Sequence, residues 1–405
     1  MRLTTYIFII AAFFSFAIAC SNNQPKEPDL GSFSWEQIEE RAQGSTVNLM
    51  MWTGDPKINA YMNGYVVPQV KERYNIDLSV ASGQGNTIVS ILLAEIEAGK
   101  QNSELDMAWI NGETFYQLRQ IDALYGPFTD RLPNSKNVDF DNPFIGVDFQ
   151  QPVDGYETPW GNVQFTLIYD TERVSTPPKN LVELESYVKA NPGTFTIPSE
   201  FSGMTLLKSF LIEFAKDDTL YGPFDEEKYE KYSQQMWEYI NRIKPYLWKQ
   251  GETFPTTLSA VHQMYVNGEL NFTMSNNDSE VDNKVLEGFF PNTSKAYVLE
   301  SGTIQNSHYM GIVKHSNNKA GAMVVSNFLI SEQAQYKKMN PEVWGDGTIL
   351  DISKLSKEWQ QRFAEIPNRN YAPSRSDIHT FALQELDPEY MIRLFDDFRT
   401  YVVEN

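Results

Sequence analysis

The chain has 405 residues, 41% hydrophobic and 13% aromatic, a length that suits two domains and a composition that excludes a disordered polymer. Its 33 basic against 53 acidic side chains give a formal charge of -20, which repels a phosphate backbone and excludes nucleic acid as a partner. A single cysteine excludes an internal disulfide, so the core has to hold without one.

At the amino terminus Arg2 precedes an apolar run over 6–19, and Cys20 follows the small residue Ala19. Residues 1–19 predict an export signal, because the run is too short and wrongly flanked for a spanning helix. Ala17-Ile18-Ala19-Cys20 resembles a bacterial lipobox, which implies cleavage before Cys20 and a lipid on its sulfur that anchors the chain on the outer face of a membrane. The alternative is a plain secretory cleavage site with a chance cysteine beside it. Residues 20–33, polar and holding Pro25 and Pro28, suit a tether.

Ser34 and Gln37 make a capping box for a helix reaching about 43. Residues 46–52 predict a buried strand; Asp55 then caps, and Pro56 begins, a helix with Ile58, Tyr61, Met62 and Tyr65 on one face. The unit repeats as strand 76–81, the loop Ser82-Gly83-Gln84-Gly85-Asn86 and helix 87–100, and again as strand 105–110, Asn111-Gly112-Glu113 and helix 114–121. Three such units predict an α/β fold with a mostly parallel sheet flanked by helices. Ligands of such sheets sit beyond the carboxyl ends of the strands, so Trp52-Thr53-Gly54, Gly83-Gln84-Gly85 and Asn111-Gly112, each leading into a helix N-terminus, are candidate contacts.

In YETPWGNVQFTLIYDTERV, residues 156–174, Val163, Phe165, Leu167 and Tyr169 alternate with Gln164, Thr166, Ile168 and Asp170, the period of a strand. Here the chain is expected to cross from one lobe to another. Trp160, between Pro159 and Gly161, stands at the strand's mouth, either in a cleft wall or in the core. Beyond it the pattern predicts helix 181–190, strand 195–198, a helix from Ser202-Gly203 to about 216, helices 226–243 and 257–266, and strand 269–274 ending at Ser275-Asn276-Asn277-Asp278. Strand 296–299, loop 301–306 and strand 308–313 precede helix 318–330, and the amphipathic segments 354–364 and 388–402 predict a C-terminal cover.

Motifs of catalysis are missing. His262, His308, His315 and His379 lack metal-ligand spacing, no nucleophile elbow or P-loop occurs, and Gly83-x-Gly85 lacks the third glycine of a dinucleotide site. Gly345-Asp346-Gly347 has too few oxygen ligands for a calcium loop and reads as a turn. No metal or cofactor is expected.

The signal, WTGDPKINAY at 52–61, the crossover, and ESGTIQNSHYMGIVKHSNNKAGAMVVSNFLIS at 300–331 together resemble the bacterial extracellular (periplasmic) solute-binding proteins of ABC importers, in their YnjB-like branch. The resemblance implies a type II two-lobed fold, each lobe a mostly parallel sheet with helices, and a multi-segment hinge. Lobe I would span 34–164 and 276–312, and lobe II 165–275 and 313–405. It implies a monomer that closes on a small solute and is recognised by a membrane permease. It also implies that the solute touches Trp52, Thr53, Gly54, Gln84, Asn111, Trp160, Asn162, Ser202, Gly203 and Asn276, the indoles stacking and the amides pairing. Asp55 and Asp278 are helix caps or contacts for a cationic group. The competing hypothesis is a surface lipoprotein enzyme, such as a glycoside-cleaving hydrolase with paired carboxylates in an aromatic cleft. No such pair stands out in the sequence, which favours the receptor. Sugar, thiamine-like or polyamine cation, and small organic acid all remain open as solutes.

Overall fold

The structure, a computed structural model, describes residues 30–404; the expected signal, Cys20 and most of the tether lie outside the described residues. Local signals in the sequence are realised at the helix starts. Ser34 Oγ accepts from the Gln37 N–H while the Ser34 N–H donates to Gln37 Oε1, closing the helix Trp35–Ala42. Asp55 Oδ1 accepts from the N–H groups of Lys57 at 2.7 Å and Ile58 at 3.1 Å, ahead of the helix Pro56–Tyr61 with its proline at the first turn.

The strands are β1 (Thr46–Met51), β2 (Asp77–Ser82), β3 (Met107–Ile110), β4 (Leu124–Tyr125), β5 (Val147–Asp148), β6 (Gln151–Pro152), β7 (Glu157–Gln164), β8 (Thr166–Asp170), β9 (Phe272–Ser275), β10 (Ser294–Tyr297), β11 (Thr303–Val313) and β12 (Ala382–Leu383). The first sheet runs β12-β11-β3-β1-β2, with β4 and β7 also on β11; the second runs β10-β8-β9. β1 is parallel to β2 and β3, as the strand-helix units require. β11, however, is antiparallel to β3, β4 and β7, and both pairings of the second sheet are antiparallel. The expectation of mostly parallel sheets is thus corrected to a mixed first sheet and an antiparallel second one. β11 enters the first sheet against the direction of β1, β2 and β3, so β4 and β7, antiparallel to it, run with those three strands.

The crossing is sharp. Alternation over 163–170 reads as one strand, yet β7 ends at Gln164 in the first sheet and β8 begins at Thr166 in the second. Phe165, between them, is buried, and its N–H donates to Ile304 O at 2.8 Å.

Apolar side chains gather in two bodies, one on each sheet. In the first, Val47, Leu49, Met310 and Ile312 pack against Met323 and Phe328 of the helix Lys319–Leu329, and Ala108, Ile110 and Tyr309 form a core with Phe115. In the second, Leu167 and Met274 pack on the helices Phe201–Ala215, Glu226–Ile243 and Pro388–Phe398, while Ile168 meets Tyr265, Val281 and Phe290 on the opposite face.

This distribution corrects the expected lobe membership twice. Of residues 276–312, expected in lobe I, Val281, Phe290 and Ala296 pack on the second sheet while β11 belongs to the first. Of 313–405, expected in lobe II, the helix Lys319–Leu329 and Phe363 join the first core, whereas Tyr390, Leu394 and Phe398 join the second, so there is no single C-terminal cover. The cause is β11. Expected as a loop followed by a short strand, it is one 11-residue strand paired along β7 and β3, and it commits the following helix Lys319–Leu329 to the first body, before Ala372 returns to the second. The expected strand over 195–198 is not formed, although Phe195 and Ile197 enter the second core.

Candidate functional site

β1, β2 and β3 end along one edge of the first sheet, with Met51 beside Ser82. Trp52 leaves that edge 43% exposed, its indole over Gly54, where a Cβ would stand 2.5 Å from the ring. Thr53 Oγ1 donates to Ser82 Oγ at 2.7 Å, and Asn59 Nδ2 donates to Thr53 O at 2.9 Å, so the loop is pinned from two sides. Gln84 is exposed at the head of the helix Gly85–Glu97, and half-buried Asn111 heads the helix Gly112–Gln120. These five nominated residues therefore share one rim.

Ser202, Gly203 and Asn276 come together on the second body. Glu200 accepts from the Ser202 N–H at 3.0 Å, and Ser202 Oγ accepts from Asn276 Nδ2 at 2.9 Å, while Asn276 Oδ1 is enclosed without a partner. At Gly203 a Cβ would lie 1.7 Å from Pro198 O, so only glycine allows the helix to begin against that carbonyl. Burial pushes the Glu200 carboxyl up, against the pull of the hydrogen bonds from Ser202.

A line of charge joins the two bodies. His262 Nε2 lies 3.4 Å from Glu280 Oε1, and Lys284 Nζ lies 3.7 Å from Glu280 Oε1, 3.2 Å from Glu287 Oε2 and 3.4 Å from Asp55 Oδ2. Burial would raise Glu280, but His262 and Lys284 hold it below its ordinary value; burial likewise opposes the charge on Lys284, and the surrounding carboxylates prevail. Asp55 caps a helix of the first body and Lys284 sits on Glu280–Leu286, whose Val281 packs in the second. Beside them Asn283 Nδ2 donates to Trp344 O at 2.7 Å. Asp55 thus caps its helix and pairs with a lysine of the chain itself. Asp278 instead pairs with Arg369 and, at 3.0 Å, with Arg375.

Trp160 is corrected. It is fully buried in the first core, its ring 5.0 Å from Trp109, 5.2 Å from His308 and 5.2 Å from Trp344. The reason is that β7 is covered on both faces, seven of its eight residues being buried, so no side of the strand mouth is left to a cleft. The ring at the rim is half-buried Trp109, 6.5 Å from Trp52. Behind it Asp346 receives Lys338 and, at 3.2 Å, His308 Nε2, with Lys338 Nζ also donating to Gly347 O at 2.7 Å. Burial pulls the Lys338 ammonium down to about 8. Gly161 makes room for this group, since a Cβ there would stand 1.9 Å from His308 Nε2.

Asn162 lies at the junction. Its Nδ2 donates to Ser307 Oγ at 3.0 Å and Phe144 O at 3.1 Å, and its Oδ1 accepts from Gln305 Nε2 at 2.6 Å. With Gln164, Asp278, Gln305, Arg375 and His379 it lines a cavity of about 250 Å3. A larger hollow of about 400 Å3, bounded by Arg41, Ser45 and Asn318, lies by the amino end of β1 and holds none of the nominated residues. Among the described residues no cluster of three or more metal-ligating side chains occurs, and no helix is long and apolar enough to cross a membrane.

The family model for bacterial extracellular solute-binding proteins matches residues 66–367. The chain is 31% identical to protein YnjB of Escherichia coli (strain K12) over 364 residues, 89% of this chain and 93% of that one. Its fold is similar to the spermidine/putrescine ABC transporter substrate-binding protein PotD from Streptococcus pneumoniae, with a TM-score of 0.61 at 14% identity over 88% of this chain and 99% of that one. It is also similar to the periplasmic binding protein AfuA from Actinobacillus pleuropneumoniae, solved with fructose-6-phosphate, with a TM-score of 0.60 at 13% identity over 88% and 98%. A two-lobed α/β chain matched over this much of its length belongs to the bacterial extracellular solute-binding proteins, the substrate-capturing components of ABC transporters.

Proposed function

We propose that the junction between the two bodies is the solute cleft, and that rotation about the crossing at Phe165 closes it on a small molecule destined for an ABC permease in the membrane. Lobe I then comprises 34–164 with 303–364 and β12, and lobe II 165–300 with 386–404. The observation that carries this reading is the meeting of polar strand and helix ends from both bodies across the Asp55–Lys284 pair. Trp52, Thr53, Gly54, Gln84, Asn111 and Trp109 form one wall, Ser202, Gly203 and Asn276 the other, with Asn162 at the hinge end. The exposed indole of Trp52 offers a flat surface and the amides offer paired donors and acceptors. The fold alone leaves the solute open, because the similar proteins are named for spermidine/putrescine in one case and carry fructose-6-phosphate in the other.

The protein works as a monomer and binds without turnover. A glycosidase needs two carboxyl groups facing its substrate; the acidic pair Asp148 and Glu157 is 2% and 0% exposed. Melting the purified protein with small-molecule fractions of a cell extract tests the reading. One fraction should raise Tm through preferential binding to the folded state, and raise it less for Trp52→Ala; indifference of Tm to every fraction contradicts it.

Export and anchoring complete the proposal, with Cys20 as the lipidated first residue. Metabolic labelling with a palmitate analogue should mark the wild type and not Cys20→Ser; an unlabelled wild type removes the anchor.

A further inference from the structure

We propose that Lys284 determines the specificity of this cleft: its ammonium ties the lobes together through Asp55 and holds the place that a cationic group of the solute takes on binding. The proposal rests on the cleft reading above and adds the chemical class of solute, an organic ammonium.

Three carboxylates, Asp55, Glu280 and Glu287, surround the one ammonium at 3.2 to 3.7 Å, and Lys284 is only 7% exposed. The site thus keeps an excess of negative charge even with Lys284 seated. The oxygens of Asp55 divide the work: Oδ1 is held by two backbone N–H groups of the helix it caps, while Oδ2 faces Lys284. An incoming ammonium can exchange for Lys284 at Oδ2 without undoing the helix start.

A second, independent feature has the same sign. Asn276 Oδ1, on the lobe II wall, and Asn283 Oδ1, one residue before Lys284, are both enclosed without a donor. Enclosed acceptors without partners carry a desolvation cost that a donor-rich guest relieves. An ammonium brings up to three N–H donors, whereas a carboxylate or phosphate brings more acceptors and more negative charge. Trp52, three positions before Asp55, is exposed and offers an aromatic face of the kind that attracts cations.

The tie also explains selectivity. A neutral or anionic solute gives Asp55 nothing in exchange for Lys284, and two buried charges cannot be separated without a large penalty unless each finds a new partner. An ammonium supplies that partner, so only a cationic guest replaces the internal contact by its own.

Three forms of the purified protein, the wild type, Lys284→Met and Asp55→Asn, decide the matter. Asparagine keeps an oxygen for the helix cap while removing the charge. Calorimetric binding of 1,4-diaminobutane, with 1,4-butanediol as the neutral counterpart, is measured together with the radius of gyration of the free proteins by X-ray scattering and with Tm as the check of folding. Lys284→Met should bind the diamine at least about tenfold more tightly than the wild type. Asp55→Asn should lose the diamine, and the diol should distinguish none of the three. Both variants, having lost the tie, should be more open than the wild type when free. Equal diamine binding by Lys284→Met and the wild type, no binding by either, or full binding by Asp55→Asn overturns the proposal, and so does an unchanged radius in both variants. Should Lys284→Met not fold, Asp55→Asn reads the same tie from the other side. The cleft reading fails separately, by indifference of the wild type's Tm to every extract fraction.

Discussion

Trp52 and Trp160 stand at opposite ends of a row of rings, Trp52 to Trp109 at 6.5 Å and Trp109 to Trp160 at 5.0 Å, with the first exposed and the last sealed. Truncation therefore has opposite consequences at the two ends. Trp160→Ala should cost about 3–5 kcal/mol of stability, the usual result of emptying a large core site, seen as a lower urea midpoint. Trp52→Ala should leave that midpoint within about 0.5 kcal/mol and weaken solute binding about ten- to a hundredfold. An unchanged midpoint for Trp160→Ala would return that ring to the cleft wall. Sequence could not separate the two indoles, since each follows or opens a strand beside glycine; what differs is whether the strand's faces are covered by distant segments. Asp346 was hidden for a similar reason. Gly-Asp-Gly is turn chemistry locally, and only the fold brings Lys338 and His308 to its carboxylate.

At the scale of elements, β7 carries the crossing and also an unusual charge. Glu157 at its start is fully buried, and neither carboxyl oxygen has a hydrogen-bond partner. Burial pushes its carboxyl well above the ordinary 4.5, the nearby Asp148 pushes further, and Arg119 opposes both. The folded chain then keeps a proton that the unfolded chain releases, so stability is greatest below the ordinary glutamate value and falls as pH rises through the raised one. Glu157→Gln should flatten that slope, raising Tm near pH 8 while leaving it similar near pH 4. A slope as steep as the wild type's assigns the effect elsewhere. The elements that were legible beforehand are those whose signals are local: the capping box at Ser34 and Asp55-Pro56 at a helix start. The break at Phe165 was not legible. Alternation continues through it, and which sheet each half joins depends on partners more than a hundred residues away, Ile304 and Ser275 among them.

For the whole molecule, the α/β class and the two-lobed plan followed from strand-helix units and from motifs spread along the chain, whereas the path between lobes did not. β11 alone reassigns the helix Lys319–Leu329 to the first body, because an antiparallel strand in mid-sheet fixes where the next element must pack. The chain passes between the bodies at Phe165 and again ahead of β11, and after Lys319–Leu329 it reaches the second body at Ala372, the first sheet at β12 and the second core at Leu386. In the proposed receptor, closure would turn several strands together as one hinge.

Native mass spectrometry of the protein as freshly purified tests the receptor claim most directly. The account predicts the mass of the folded chain plus one small molecule, held by the wild type and retained poorly by Trp52→Ala. A bare-chain mass for the wild type, persisting after incubation with the small-molecule extract while the fold stays intact, would contradict it.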